Sequence, residues 1–384
     1  MSPHLPLPDD LPVTGAWRPG DPVGERRFHR LSGDRPFSLE GGAHLDGVEV
    51  AYETWGTLDA DASNAVLVCH ALTGDSHAAG RNGWWEGLIG PGRAIDTDRW
   101  FVVCSNVLGG CQGTTGPASD DPSTGRPFGS AFPVVTIRDM VRVQASLADA
   151  LGVDRWRAVV GGSMGGMQAL EWGIIFPERV RSLVLASTTA EASALQIAWS
   201  HIGRMAVQAD PRFRGGDYYD AEPGDGPWRG LMVARMCAQV TYRSDEAFAE
   251  RFHRSVIDRF AFTTDPVFDV EGYLDYHGIK LVRRFDANSY LRLNRAMDLH
   301  DVARGRGSLE QALGRVRVPV QVAAVRSDGL YPPVQQHALR DALRSLGVEV
   351  DDVDIDSPQG HDAFLIETGI LGPRIADFLR SIDD

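Results

Sequence analysis

One short stretch constrains this chain more than any other: Gly161-Gly162-Ser163-Met164-Gly165. Residues 156–160 before it read as a buried strand, and residues 167–176 after it read as a helix. The pattern G-x-S-x-G in that setting is a nucleophile elbow. A serine at the tip of so tight a strand-to-helix turn sits in strained backbone, and neighbouring side chains would collide, so glycines flank it. The turn lifts the hydroxyl to the C-terminal end of a parallel sheet and to a helix N-terminus. Backbone N–H groups and the helix dipole can stabilise a developing oxyanion there. A glycine-rich β–α turn with an incidental serine spells the same five letters; the strand before and the helix after favour the elbow.

The same alternation extends on both sides. Residues 48–55, 65–69, 100–105 and 182–186 read as strands. Residues 137–151 carry apolar side chains at helical spacing, with Gly152 as a C-terminal stop. After residue 314 come strand 318–325, helix 333–346, strand 348–355 and helix 362–379. This alternation predicts a mostly parallel sheet with helices on both faces. Between residues 188 and 314 no strand run occurs, and helix-like stretches at 231–240 and 289–299 sit among arginine, aspartate and aromatic residues. An insertion of that size reads as a helical lid. The expected organisation is a flexible lead over residues 1–30, a core over 31–187 and 315–384, and a lid over 188–314.

Composition removes several classes of function. A net charge of −14 argues against nucleic acid or an anionic membrane as partner. Lys280 is the single lysine among 38 basic residues, so no glycine loop is followed by a phosphate-binding lysine. The four cysteines form neither CxxC nor a disulfide ladder and read as reduced, in the cytoplasm; no metal site is expected. The lead has no basic segment followed by an apolar one, so it reads as no signal peptide, and no apolar run approaches membrane-spanning length.

A serine nucleophile needs a base and an acid that orients it, and on this architecture they follow in the order Ser, Asp or Glu, His. Asp328 follows the strand ending at residue 325, and His361 lies between the last strand and the last helix. Both positions are C-terminal strand ends, where ligand chemistry collects in open α/β sheets. Separately, Asp328 also fits a turn residue and His361 a helix cap. Together, in this order, they fit a triad in which His361 deprotonates Ser163 and Asp328 holds the imidazole tautomer. The oxyanion donors are expected to be the backbone N–H groups of Met164 and Leu72, the latter in the turn after residue 69. Gly109-Gly-Cys-Gln-Gly-Thr-Thr-Gly116 lacks nucleotide-loop spacing and reads either as a turn lining the site or as a binding loop.

Four segments carry a family resemblance: Cys69-His-Ala-Leu-Thr-Gly-Asp75, Asn106-Val-Leu-Gly-Gly-Cys-Gln-Gly-Thr-Thr-Gly-Pro117, Gly161-Gly-Ser-Met-Gly-Gly-Met-Gln-Ala-Leu-Glu-Trp172 and Gly360-His-Asp-Ala-Phe-Leu365. From about Phe37 to the last helix the chain resembles the homoserine O-acetyltransferases. The resemblance implies an α/β-hydrolase fold with an inserted helical lid, and a homodimer formed through that lid. It implies acetyl transfer from acetyl-CoA, a co-substrate rather than a bound cofactor, to the hydroxyl of L-homoserine in methionine biosynthesis. Succinyl-CoA-dependent and serine-specific relatives, and serine esterases or thioesterases, are the alternatives. The family's nucleophile, acid and base fall on Ser163, Asp328 and His361. Its substrate-binding residues fall on Arg235, Tyr242 and Asp362, the arginine meeting the substrate carboxylate and the aspartate its ammonium. The acidic lead and residues 215–230 of the lid depart from the family pattern.

Overall fold

The computed structural model describes residues 10–31 and 36–382. Eight strands make one sheet: β1 (Arg27–Arg30), β2 (Glu49–Trp55), β3 (Ala65–Cys69), β4 (Phe101–Ser105), β5 (Ala158–Gly162), β6 (Leu183–Ala186), β7 (Val320–Val325) and β8 (Val350–Ile355). Their spatial order is β1-β2-β4-β3-β5-β6-β7-β8. β1 and β2 pair antiparallel, as do β2 and β4; every other neighbouring pair is parallel. Every residue of β3 and β5 is buried, as strands covered on both faces require. Their side chains alternate between two cores: Leu67 and Val159 join one, Val66, Val68 and Val160 the other. The register sets Gly161 beside Cys69 and Gly162 beside Ala186, so three strand ends lie level under the site.

Helix α1 (Ile137–Leu151) starts at a reciprocal Thr136–Asp139 cap and stops at Gly152, with φ of 72°. Helix α2 (Met164–Ile175) is buried almost throughout. It begins three residues before the sequence-based expectation, directly at the elbow. Between β6 and β7 lie α3 (Ala194–Ala209), α4 (Trp228–Tyr242), α5 (Asp245–Phe252), α6 (Asp269–Val282), α7 (Ala287–Asp298) and α8 (Leu309–Leu313). Ser193, Ser244, Asp286 and Ser308 cap four of them. Glu171 of α2 anchors this insertion: its buried carboxylate accepts from Arg138 Nε at 3.0 Å and Arg306 Nη2 at 2.7 Å. The chain ends with α9 (Pro333–Ser345), α10 (Ala363–Ile366) and α11 (Thr368–Ser381).

Two expectations need correction. The lead was expected to be flexible over residues 1–30. Residues 1–9 lie outside the described residues, but residues 10–30 pack as a strap. Leu11 is buried, the Gly15 N–H donates to the Phe285 carbonyl at 3.1 Å, and Trp17 N–H to Cys111 at 2.9 Å. Arg27–Arg30 extends the sheet beyond β2. Backbone hydrogen bonds to distant segments of the same chain, not a periodic apolar face, order this segment, so its composition gave no sign of it. The final helix, expected over residues 362–379, is broken. A 3-10 turn, Gly360–Asp362, carries the histidine, and the chain bends again at Glu367 before α11.

Candidate active site

Ser163 caps α2 with φ of 56° and ψ of −124°, a region that a serine enters only under constraint. The flanking glycines show the constraint. A Cβ on Gly161 would lie 2.2 Å from the Gly165 carbonyl oxygen, and one on Gly165 would lie 2.1 Å from the Cys69 oxygen. The strand, elbow and β3 turn are therefore pressed together where only glycine fits.

The structure brings Ser163, His361 and Asp328 into one line. Ser163 Oγ is 2.9 Å from His361 Nε2, and His361 Nδ1 is 2.7 Å from Asp328 Oδ2. All three residues are buried. The other Asp328 oxygen accepts the N–H groups of Leu330 at 2.9 Å and Tyr331 at 2.7 Å, which aims the carboxylate at the ring. Tyr331 stacks on His361 with centroids 4.9 Å apart, and burial pushes its phenol pKa up. The histidine turn is held from the lid: a Cβ on Gly360 would lie 2.7 Å from the Tyr242 carbonyl oxygen.

Met164 is the first residue of α2, so its N–H is one of those a helix cannot satisfy internally. Leu72 lies in the turn after β3 and lines the same cavity as Ser163. That turn rests on His70, which is fully buried. Its Nδ1–H donates to the Ala71 carbonyl at 2.7 Å and its Nε2 accepts the Val107 N–H at 3.1 Å. Burial lowers its pKa, consistent with a neutral ring in that tautomer.

The cavity measures about 190 Å³, and Leu72, Ser163, Arg235, Tyr242, His361 and Asp362 all line it. Arg235 reaches in from α4 across the Tyr242 ring, 5.2 Å from its centroid, and its Nη1 is buried with no hydrogen-bond partner. Burial raises the Asp362 pKa, while Arg243, Arg235 and His361 pull it back down. Arg243 Nε lies 3.6 Å from that carboxylate. Tyr331, Arg243 and Arg284 are site residues that sequence reasoning missed. Tyr331 sits three places after Asp328, but nothing in its neighbours marks it. Residues 109–116 do not line the cavity; they pack as a folded turn, with a Cβ on Gly116 only 2.0 Å from the Gly110 oxygen.

Sheet order, elbow and the Ser163–His361–Asp328 line together define an enzyme class, the α/β hydrolases, and the alpha/beta hydrolase fold family model matches residues 64–367. Over 377 residues the chain is 53% identical to the homoserine O-acetyltransferase of Thermobifida fusca (strain YX), covering 96% of this chain and 97% of that protein. The crystal structure of homoserine O-acetyltransferase from Bacillus anthracis superposes with a TM-score of 0.85 at 29% identity, covering 94% of this chain and 98% of that one. Esterase E22 superposes with a TM-score of 0.84 at 29% identity, covering 92% and 99%. Within that class, the chain belongs to the homoserine O-acetyltransferase family.

Proposed function

We propose that this protein transfers the acetyl group of acetyl-CoA to the hydroxyl of L-homoserine through an acetyl-enzyme on Ser163. The observation that carries this is the Ser163–His361–Asp328 line opening into a cavity where Arg235 Nη1 is buried and unpartnered. A serine nucleophile supports acyl transfer, and a guanidinium with one nitrogen left open suits the carboxylate of an amino-acid acceptor.

His361 Nε2 takes the Ser163 proton as Oγ attacks the thioester carbonyl. The Met164 and Leu72 N–H groups hold the oxyanion, the C–S bond breaks, and the CoA thiolate leaves with the proton from His361. Homoserine then enters, its carboxylate on Arg235 and its ammonium near Asp362. His361 takes the hydroxyl proton, the oxygen attacks the acetyl carbon, and Ser163 leaves, reprotonated by His361. The product is O-acetyl-L-homoserine, and the kinetics are ping-pong. No bound cofactor enters these steps; acetyl-CoA is consumed as a co-substrate. A cytoplasmic site of methionine biosynthesis belongs to the same reading. No helix among the described residues is long and apolar enough to cross a membrane.

The family resemblance suggests a homodimer. On α3, Leu195, Trp199, Ile202 and Met205 recur at helical spacing and are exposed; Val233 and Val240 of α4 are exposed as well. That apolar surface supports a second copy of the chain as its cover.

One other reading has an observation behind it: the likeness to esterase E22 supports hydrolysis of esters. Following acetyl-CoA consumption with and without homoserine separates the two. A transferase depends on the amino acid; a hydrolase proceeds equally without it.

A further inference from the structure

Arg284 lies between α6 and α7 and lines the same cavity as Ser163. It differs from Arg235 in how its charge is met. Its guanidinium donates to the Thr73 carbonyl and lies 3.8 Å from the Asp75 carboxylate. Thr73 belongs to the turn that carries Leu72, and Asp75 follows it. A substrate carboxylate would have to displace them, whereas Arg235 keeps a buried nitrogen open.

Arg284 is itself held from behind. Gln112 Nε2 donates to the Arg284 carbonyl at 2.8 Å and to the Gly15 carbonyl of the strap at 3.0 Å. The Gln112 N–H donates to Asn106 Oδ1 at 3.0 Å, and Asn106 Nδ2 lies 3.2 Å from His70 Nε2. His70 packs under the same turn: a Cβ on Gly74 would come 2.7 Å from His70 Cβ. The hydrogen bonds therefore close a ring, from turn to Arg284, Gln112, Asn106, His70 and back to the turn. This gives the glycine-rich loop a use outside the cavity.

We propose that Arg284, held by Gln112, is a positioning residue that ties residues 71–74 to the lid and so sets where the Leu72 N–H meets the developing oxyanion. This role presupposes the acyl-transfer activity proposed above. In the full chain, Arg284→Ala slows single-turnover acetylation of Ser163 by acetyl-CoA, about 10- to 100-fold for a misplaced oxyanion donor. The KM for homoserine stays within about two-fold, because the same oxyanion donor serves both half-reactions, which slow together and leave binding alone. Arg284→Lys recovers part of the rate by restoring one donor to Thr73. Gln112→Ala slows acetylation in the same direction and adds little on top of Arg284→Ala, as members of one network do. If Arg284→Ala fails to fold, the acetylation rates of Arg284→Lys and Gln112→Ala decide in its place. An unchanged acetylation rate in the folded variants, or a raised homoserine KM at normal acetylation, overturns the positioning role alone. A wild-type protein that accepts no acetyl group from acetyl-CoA overturns it together with the acyl-transfer reading.

Discussion

Arg235 is the residue whose environment makes the sharpest demand, because a buried cation nitrogen without a partner is costly unless a ligand completes it. Losing a hydrogen bond to a charged group costs about 1.5–3 kcal/mol, so Arg235→Ala should raise the homoserine KM by about 10- to 150-fold. Acetylation by acetyl-CoA alone should be nearly unchanged; steady-state and single-turnover kinetics on the same preparation check both. Arg235→Lys should fall between, since an ammonium cannot pair with a carboxylate bidentately. Residues differ in how far the sequence reveals them. Ser163 is legible because steric, backbone and electrostatic needs all act within five residues. Arg284 is not: its partners at Thr73, Asp75 and Gln112 lie far away in sequence, and one arginine among many carries no local mark.

Elements meet at two buried contacts that predict measurable stability. Glu171 of α2 serves both Arg138 and Arg306, and is 1% exposed. Glu171→Gln leaves two guanidiniums undercompensated and should cost about 3 kcal/mol or more, read as a lower denaturation midpoint at unchanged slope. His300, just after α7, donates Nε2–H to the Thr189 carbonyl at 3.1 Å, and burial lowers its pKa to about 4. The unfolded chain therefore takes up this proton first. The stabilisation is whole above about 6.5 and is lost as pH falls toward about 4, roughly 3 kcal/mol across that window. His277, also lowered to about 4, adds to the slope. Thermal melts from pH 7 to 4 should show wild type losing more stability than His300→Gln. Helix α1 and the parallel strands were legible in the sequence because their apolar periods are long and regular. The break at Glu367 was not: its backbone leaves the helix with ψ of 48°, and its carboxylate accepts from Ser357 Oγ at 2.6 Å, a partner outside the segment.

At the scale of the whole molecule, Ser163 and His361 stand 198 positions apart and meet only because the sheet order brings their loops to one edge. The lid closes over that edge and turns an apolar α3–α4 surface outward. If a second copy covers it, Ile202→Asp should convert a dimer to a monomer in sedimentation at micromolar protein; a monomeric wild type would contradict the homodimer. The most direct test of the mechanism is intact mass after mixing with acetyl-CoA, then with homoserine. An acyl-enzyme pathway predicts one acetyl group on Ser163, none on Ser163→Ala, and discharge of the group as O-acetylhomoserine when homoserine is added. A Ser163→Ala variant that still transfers acetyl at the wild-type rate would contradict it.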